Sequence, residues 1–155
     1  MRRKRNYTRA VAPDMKYDSA TVARFINYLM KEGKKSIAQQ IMYDAMDVIE
    51  KKMKKNPIEV FGVALENASP VYEVVSKRVG GANYQVPREV RAARKFFLGC
   101  NWIIDGARSG KGKPMAEKLA DELMAAYNNE GSAIRKKQNV HKMAEANRAF
   151  AHFAR

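Results

Sequence analysis

The sequence predicts a mainly α-helical fold: a compact bundle of about six helices, with one β-hairpin protruding between the third and fourth helices. Along most of the chain, apolar residues recur every three or four positions, which is typical of amphipathic helices. One stretch instead places β-branched and aromatic residues on both sides of Gly80-Gly81, which is typical of a hairpin. We expect a basic flexible tail over residues 1–18. A single helical domain is expected over residues 19–155, with the hairpin arm at 71–87.

The first two helices are predicted from their apolar stripes and their end signals. Ser19 is a candidate N-cap for the first helix, and Gly33 is a candidate residue for its end. Ser36 and Gln39 have the spacing of a capping box at the start of the second helix. The face of the second helix that we expect to point inward carries Ile37, Ile41, Ala45 and Val48, widened by Met42 and Ile49.

The third helix has the clearest start signal in the chain. Asn56, Pro57 and Glu59 occupy the N-cap, first and third helical positions, where each residue type is favoured. Pro70 is expected to end this helix. Its predicted inward residues are Val60, Phe61, Ala64, Leu65 and Ala68.

The predicted arm runs out through Tyr72–Val79 and returns through Tyr84–Pro87, with a loop over residues 80–83. Proline cannot donate a ladder hydrogen bond, so Pro87 indicates an edge strand or a strand end. A fourth helix is then expected from about Arg88 to Arg108. One of its faces is predicted to present Arg88, Arg91, Arg94 and Lys95.

The last two helices follow a loop rich in glycine and lysine. Pro114 is expected to start the fifth helix and Gly131 to end it. Ser132 then opens a basic sixth helix that is predicted to reach about Phe150. We expect the terminal residues 152–155 to fray.

Positive charge is concentrated in blocks rather than spread evenly. The chain has 30 lysines and arginines against 16 acids, for a formal net charge of +14. Basicity in patches is the electrostatic footprint of a nucleic-acid-binding protein. The candidate binding cations are Arg2, Arg3, Lys4, Arg5, Arg9, Lys34, Lys35, Lys77, Arg78, Arg88, Arg91, Arg94, Lys95, Arg108, Lys111, Lys113, Arg135, Lys136, Lys137, Lys142 and Arg148.

Catalytic and metal-binding chemistry is poorly supported. One cysteine and two histidines are too few for a structural zinc site. Apolar neighbours favour a buried, inert thiol for Cys100, and His141 is expected to face solvent or to stack on RNA. The carboxylates of Asp44, Asp47 and Glu50 could form a metal-binding face, but the lysines that follow favour a solvated helix face. We therefore expect no enzymatic activity, no cofactor and no metal.

The loop over residues 106–114 has a faint likeness to a phosphate-binding loop. Its glycine spacing is one residue short, and neither serine nor threonine follows Lys111 or Lys113. Contact with backbone phosphates is the better interpretation. No apolar run approaches the roughly 18 residues that a membrane helix needs. A single cysteine and the lack of a secretory segment favour a cytoplasmic protein, with a mitochondrial presequence as the weaker alternative.

Three motifs, in order along the chain, carry a family resemblance. They are Gly33-Lys34-Lys35, then Arg-Val-Gly-Gly-Ala-Asn-Tyr-Gln-Val-Pro over residues 78–87, then Val-His-Lys-Met-Ala-Glu-Ala-Asn-Arg-Ala-Phe-Ala-His-Phe over residues 140–153. Together they closely resemble the seventh family of bacterial small-subunit ribosomal proteins, over nearly the whole chain. The resemblance implies a helical body with a protruding hairpin. It also implies binding to the 3′ major domain of small-subunit ribosomal RNA, where the family helps nucleate assembly of the head.

The same resemblance places the hairpin near the exit-site transfer RNA and the messenger path. It implies a position beside the eleventh small-subunit protein. For Tyr84, base stacking and cross-strand pairing both remain open. The implied tip residues are Gly80, Gly81, Ala82, Asn83 and Tyr84.

Two other classes of protein are alternatives to this hypothesis. A DNA-bending architectural protein also combines a helical body with basic β-arms, but such proteins place an apolar wedge at the arm tip. Here the tip reads Gly-Gly-Ala-Asn. A phosphotransferase or nuclease would need a carboxylate or phosphate-loop constellation, which the chain lacks. The sequence therefore predicts a non-enzymatic RNA-binding protein that contacts mainly phosphate and ribose.

Overall fold

The computed structural model describes residues 11–154, so Arg2, Arg3, Lys4, Arg5 and Arg9 lie outside the described part. The predicted architecture is confirmed there: six α-helices and a short 3₁₀-helix, with a two-stranded antiparallel hairpin between the third and fourth helices. None of these helices is both long enough and apolar enough to cross a membrane. The elements are α1 (Ala20–Leu29), α2 (Lys35–Met53), α3 (Pro57–Ala68), β1 (Tyr72–Val79), β2 (Ala82–Glu89), α4 (Ala92–Ser109), α5 (Met115–Tyr127), α6 (Gly131–Ala146) and the 3₁₀-helix Arg148–Ala154.

Helix α5 lies at the centre of the bundle, where it packs against α2, α3, α4 and α6. Its inward side chains, Leu119, Ala120 and Leu123, are fully buried. The small residues of this face let neighbouring helices approach closely. Across the core, the rings of Phe25 and Phe61 meet edge to face with centroids 5.2 Å apart. The core therefore fixes the positions from which the hairpin and the basic helix ends emerge.

The predicted starts of α1 and α3 are confirmed. The Ser19 hydroxyl accepts a hydrogen bond from the Val22 amide, and the Asn56 side chain accepts one from the Ile58 amide at 3.0 Å. Pro57 follows as the first residue of α3. All five residues predicted to face inward from α3 are buried.

Helix α2 differs from its prediction at both its start and its inward face. It begins at Lys35, Lys34 is the N-cap, and no side chain caps it, so the proposed capping box of Ser36 and Gln39 does not form. Ile37 is 55% exposed. The buried face of α2 is rotated by about one residue from the predicted face. Its alanine and methionine side chains are smaller or more flexible than those predicted to point inward, and they fit the close approach to α5 better. The buried face comprises Ala38, Met42, Ala45, Met46 and Ile49.

Three further helix boundaries differ from their predicted positions. Helix α1 ends at Leu29, and Gly33 lies in the following turn with φ of 71°. Gly131, with φ of 94°, begins α6 instead of ending α5. Helix α6 stops at Ala146, short of Phe150, because the Asn147 side chain donates to the Met143 carbonyl at 2.7 Å and satisfies the helix end.

The hairpin is longer and tighter than predicted. Its ladder runs without a break from Tyr72 opposite Glu89 to Val79 opposite Ala82, so the turn is only Gly80-Gly81. Both glycines have positive φ, the conformation that a two-residue hairpin turn requires. Strand β2 continues through Pro87 because each strand of a two-stranded sheet has a free edge, where a missing donor costs little.

The hairpin is anchored by the chain that follows α6. The Tyr84 ring packs against Phe150 and Phe153, with centroids 5.2 and 5.3 Å apart. The Lys77 ammonium donates to the Phe153 carbonyl at 2.6 Å. Residues 152–154, which we expected to fray, are part of the 3₁₀-helix. The hairpin therefore packs against the C-terminal segment along part of its length.

Residues 14–18 are held against α1 and α2. The buried Asp14 carboxylate accepts hydrogen bonds from the Lys16 and Tyr17 amides and from the Tyr43 hydroxyl, the last at 2.7 Å. Asp14 is only 6% exposed. The boundary predicted at residue 18, between the tail and the domain, stays a prediction, and its tail residues 1–10 lie outside the described part.

Candidate nucleic-acid interface

The described candidate cations fall into two groups. The hairpin group belongs to four elements that pack on one another: the hairpin, the start of α4, α6 and the 3₁₀-helix. The turn group lies on the α1–α2 turn, the start of α2, the end of α4 and the α4–α5 loop. The hairpin group is Lys77, Arg78, Arg88, Arg91, Arg94, Lys95, Arg135, Lys136, Lys137, Lys142 and Arg148. The turn group is Lys34, Lys35, Arg108, Lys111 and Lys113.

Three arginines of the hairpin group line a groove between the hairpin and the first turn of α4. The groove is lined by Arg88, Arg91 and Arg94 together with residues 73–76 of β1. The sequence predicted these arginines on one helical face, which is wrong: Arg88 lies on β2 and Arg91 is the N-cap of α4. They still converge, because β2 leads into α4 within a few residues.

Glu73 organises this groove, although it was not among the candidate residues predicted from the sequence. Its carboxylate is 12% exposed and forms ion pairs with Arg88 at 2.8 Å and Arg94 at 3.2 Å. The bonded Arg88 guanidinium, with Arg94 beside it, holds the pKa of Glu73 below its ordinary value. Glu73 lies directly opposite Arg88 in the ladder. Glu73 and Arg88 therefore form an opposite-charge cross-strand pair, which could have identified Glu73 from the sequence only if the strand register had been known.

The pairing leaves donors available for a ligand. A guanidinium carries five N–H groups in a planar fork, and Glu73 occupies only one nitrogen each of Arg88 and Arg94. Both arginine side chains remain about half exposed. Arg91 is exposed and has no ion pair within residues 11–154. The groove thus presents three guanidinium groups, two of them fixed in orientation, which suits phosphate binding.

Helix α6 extends the positive surface, but not all of its basic residues are free. The Lys137 ammonium donates to the Asn67 carbonyl at 2.7 Å, which ties α6 to α3. Burial and the nearby charge of Lys95 lower the pKa of Lys137. Lys95 and Lys137 therefore bring like charges together between α4 and α6, where an anion would relieve their repulsion.

His141 is half-buried and bonded within the protein, whereas one alternative expected it to face solvent. Its Nε2 accepts a hydrogen bond from the Val71 amide at 3.2 Å, and its ring meets Tyr72 edge to face. Burial and the Lys137 charge lower the pKa of His141. The neutral imidazole that can accept this hydrogen bond is therefore favoured, and His141 acts as a link between α6 and the hairpin base.

The turn group is partly engaged within the protein. Arg108 donates to the Leu29 carbonyl at 3.1 Å, which links α4 to the end of α1. Lys34 pairs with Glu32 at 2.7 Å, and Lys113 pairs with Asp121 at 2.6 Å. These lysine pairs are solvent-exposed and hold weakly. In the described part of the chain, Lys35 and Lys111 have exposed side chains without an ion pair.

The hairpin tip is exposed at Gly80, Gly81, Ala82 and Asn83. Tyr84 makes a contact that neither alternative raised by the sequence included, and base stacking stays a prediction. It lies opposite Lys77 in the ladder, and its ring is half-buried against the two phenylalanines of the 3₁₀-helix. This third possibility was hidden because it joins residues far apart in the chain.

Side chains that could suggest catalysis have structural roles. Cys100 is fully buried, and burial raises the pKa of its thiol to about 12. Gly106 has no room for a side chain, because a Cβ there would collide with Ser132 and Glu122. Gly106 lies within α4, so residues 106–109 of the predicted 106–114 loop are helical, and the missing side chain at Gly106 serves helix packing. Asp47 is exposed and pairs with Lys16, in line with a solvated face, and no cluster of possible metal ligands occurs within residues 11–154.

A helical body that carries a basic β-hairpin and an arginine-lined groove defines a nucleic-acid-binding protein. The sequence profile of the family described as Ribosomal protein S7p/S5e matches residues 1–148. The chain therefore belongs to this ribosomal protein family, and it is a non-enzymatic component of the ribosome. The resemblance found in the three motifs is confirmed.

Several curated relatives match over their full length. Proteins named small ribosomal subunit protein uS7 from Thermotoga neapolitana and Fervidobacterium nodosum are 57% and 58% identical over 153 residues, which cover 99% of both chains. The protein of the same name from Syntrophus aciditrophicus is 53% identical over 152 residues, covering 98% of this chain and 97% of its own.

Proposed function

We propose that this protein is a structural constituent of the small ribosomal subunit and acts in translation by binding small-subunit ribosomal RNA. The observation that carries the proposal is the groove formed by Arg88, Arg91 and Arg94 beside the hairpin. Glu73 holds two of these guanidinium groups in place before RNA arrives. Cations fixed in this way lose less side-chain freedom on binding, so more of the contact energy is retained.

The binding surface is the hairpin group together with the turn group and the tail cations of residues 1–10. Most contacts are expected to go to phosphate and ribose, because the surface offers many guanidinium and ammonium donors and few polar groups arranged to read base edges. Recognition then depends on the shape of the folded RNA. Family membership supports this assignment of partner.

The finer part of the proposal comes from the family resemblance. The protein binds the 3′ major domain of the ribosomal RNA as a primary binder and helps nucleate assembly of the subunit head in the cytoplasm. The exposed tip, residues 80–83, lies near the exit-site transfer RNA and the messenger path. The eleventh small-subunit protein is a neighbour.

Binding to separate RNA fragments tests the proposal. The protein is titrated against a transcript of the 3′ major domain and against a 5′-domain transcript of similar length, at equal magnesium and salt. We expect tight, saturable binding to the first and at least about 100-fold weaker binding to the second, as for specific over non-specific recognition. Equal affinity for the two transcripts would contradict a primary site in the 3′ major domain.

A further inference from the structure

The outward face of α3 differs in character from the rest of the surface. No lysine or arginine occurs over residues 56–76, although the chain has 30 in 155 residues. The exposed side chains of α3 fall on one stripe at helical spacing. The stripe comprises Ile58, Glu59, Gly62, Val63 and Glu66.

The stripe combines apolar and acidic side chains. Ile58 is 36% exposed and Val63 is 41% exposed. Neither Glu59 nor Glu66 forms an ion pair with any residue in the described part of the chain. Glu59 is favoured by the helix N-terminus beside it, whereas Glu66 near the C-terminal end gains nothing from the helix dipole.

Gly62 has no explanation inside the protein. It lies in the middle of α3, where glycine costs roughly 1 kcal/mol relative to alanine. Its φ is not in the left-handed region, and a Cβ at this position would meet nothing within 4 Å. By contrast, Gly99 and Gly106 in α4 have neighbouring atoms where their Cβ would lie. A glycine in open space on an exposed helix allows another chain to approach the backbone closely.

We propose that this α3 face is a docking surface for a lysine- and arginine-rich segment of another small-subunit protein. Charge selects the partner: the stripe holds two carboxylates without an ion pair in the described part of the chain and no lysine or arginine of its own, so it would repel RNA phosphates but attract a basic chain. Ile58 and Val63 supply apolar contact, and the lack of a side chain at Gly62 admits the partner's backbone. The proposal rests on the proposed function, because the partner is expected in the same particle.

A photo-crosslinker tests the contact. Val63→p-benzoylphenylalanine protein is assembled with small-subunit ribosomal RNA and the purified remaining small-subunit proteins of the same organism, then irradiated. We expect a crosslink to one basic segment of another protein. A crosslink to RNA, to a second copy of this chain or to residues 1–10 of the same chain would overturn the proposal, as would the absence of any crosslink.

The variant Gly62→Gln provides an independent test. Since the Cβ position is open, this variant should fold normally and melt a few degrees higher than the wild type. In assembled particles, we expect the crosslinked partner to fall about tenfold in occupancy, as for loss of a central contact. Wild-type occupancy in this variant would count against the docking surface.

The ribosomal RNA affinity of each protein is measured alongside. Gly62→Gln should bind RNA within twofold of the wild type, and a loss equal to that of the partner would assign the face to RNA or to folding instead. Glu66→Lys should also lose the partner. Glu50→Lys, on the exposed side of α2, is its control for the added charge. If the wild type itself failed to bind RNA, the proposed function would fail; RNA binding without a crosslink would refute only the docking surface.

Discussion

Glu73 Oε1 lies 2.8 Å from Nη2 of Arg88, directly across the hairpin ladder, and its other carboxylate oxygen reaches Arg94 on α4. One acid therefore joins both strands to the start of the next helix. Among the described residues, Glu73 is the one acid that lines the arginine groove. Its role is to fix the direction of two arginines rather than to reduce their charge.

Replacing this acid should weaken both the fold and RNA binding. We expect Glu73→Ala to lower the free energy of unfolding by about 1–2 kcal/mol, as for loss of a charge-assisted hydrogen bond to half-exposed partners. RNA affinity should fall although the net charge becomes more positive, because Arg88 and Arg94 lose their fixed orientation. Urea unfolding and filter binding measure the two effects. An increase in RNA affinity would show that charge outweighs orientation.

The same residue gives a pH signature. Since the folded-state pKa of Glu73 is lowered, its stabilising contribution is complete above the ordinary carboxyl value and disappears as the pH falls through the lowered folded pKa. The stability difference between wild type and Glu73→Gln should be constant near neutral pH and shrink below about pH 4. Thermal melts of both proteins across this range check it. A difference that grew on acidification would contradict the assignment.

Removing two groove arginines tests the proposed surface directly. We expect Arg91→Ala with Arg94→Ala to weaken binding to the 3′ major domain by about 1–3 kcal/mol, if both contacts are charge-assisted. The control is Lys51→Ala with Lys54→Ala, which removes the same charge from two exposed residues at the C-terminal end of α2 that belong to neither cation group. Equal losses in the two double variants would mean that only net charge matters.

Salt dependence measures how many phosphates are neutralised. If about 6–10 phosphates contact the protein, affinity should fall by roughly 10³–10⁵ between 50 and 200 mM salt, by analogy with duplex DNA. Magnesium is held constant so that the RNA stays folded. A nearly flat dependence in a filter-binding titration would refute the electrostatic interpretation of the two cation groups.

The rotated face of α2 predicts a contrast in stability. Met42 is fully buried, so Met42→Ala should cost about 2–5 kcal/mol through lost burial and an unfilled cavity. Ile37 is 55% exposed, so Ile37→Ala should change stability by at most about 0.5 kcal/mol. Chemical denaturation of the two variants decides between the faces. The reverse order would restore the face inferred from the sequence.

The aromatic contact at Tyr84 should govern hairpin dynamics. With Phe150→Ala and Phe153→Ala together, hydrogen exchange of hairpin amides should become faster while that of α3 and α5 amides is unchanged. RNA-free protein is used, so that a bound ligand does not order the arm. Unchanged hairpin exchange would mean that the strands are held by their ladder alone.

Local sequence signals predicted the fold well where a helix boundary depends only on the residues next to it. The start of α3 is determined by Asn56, Pro57 and Glu59, and it was correct to the residue. The start of α4 was misplaced because Arg88 has a partner, Glu73, that only the strand register brings opposite it. The local sequence after Pro87 favours a helix, but the hydrogen-bonded ladder with β1 keeps Arg88 and Glu89 in strand β2.

The candidate site was predictable in its charges but not in its geometry. The basic blocks identified the cations, since composition is visible in the sequence. The half-buried states of Lys137 and His141 could not be predicted from the sequence. Each depends on a contact about 70 positions away, to Asn67 and Val71 respectively. Such contacts follow from the packing of α6, which no local pattern specifies.

The contact between Tyr84 and the 3₁₀-helix also orders events during synthesis. Strands β1 and β2 leave the ribosome well before residues 148–154, and domain cores can form as soon as their helices are available. A nascent chain stopped after Ala146 would hold every helix of the bundle, yet its hairpin would lack the aromatic surface on which it rests. We therefore expect the hairpin to reach its final packing only after the helical bundle has formed. A chain truncated after Ala146 would have the arginine groove but would lack the aromatic contact that supports the hairpin.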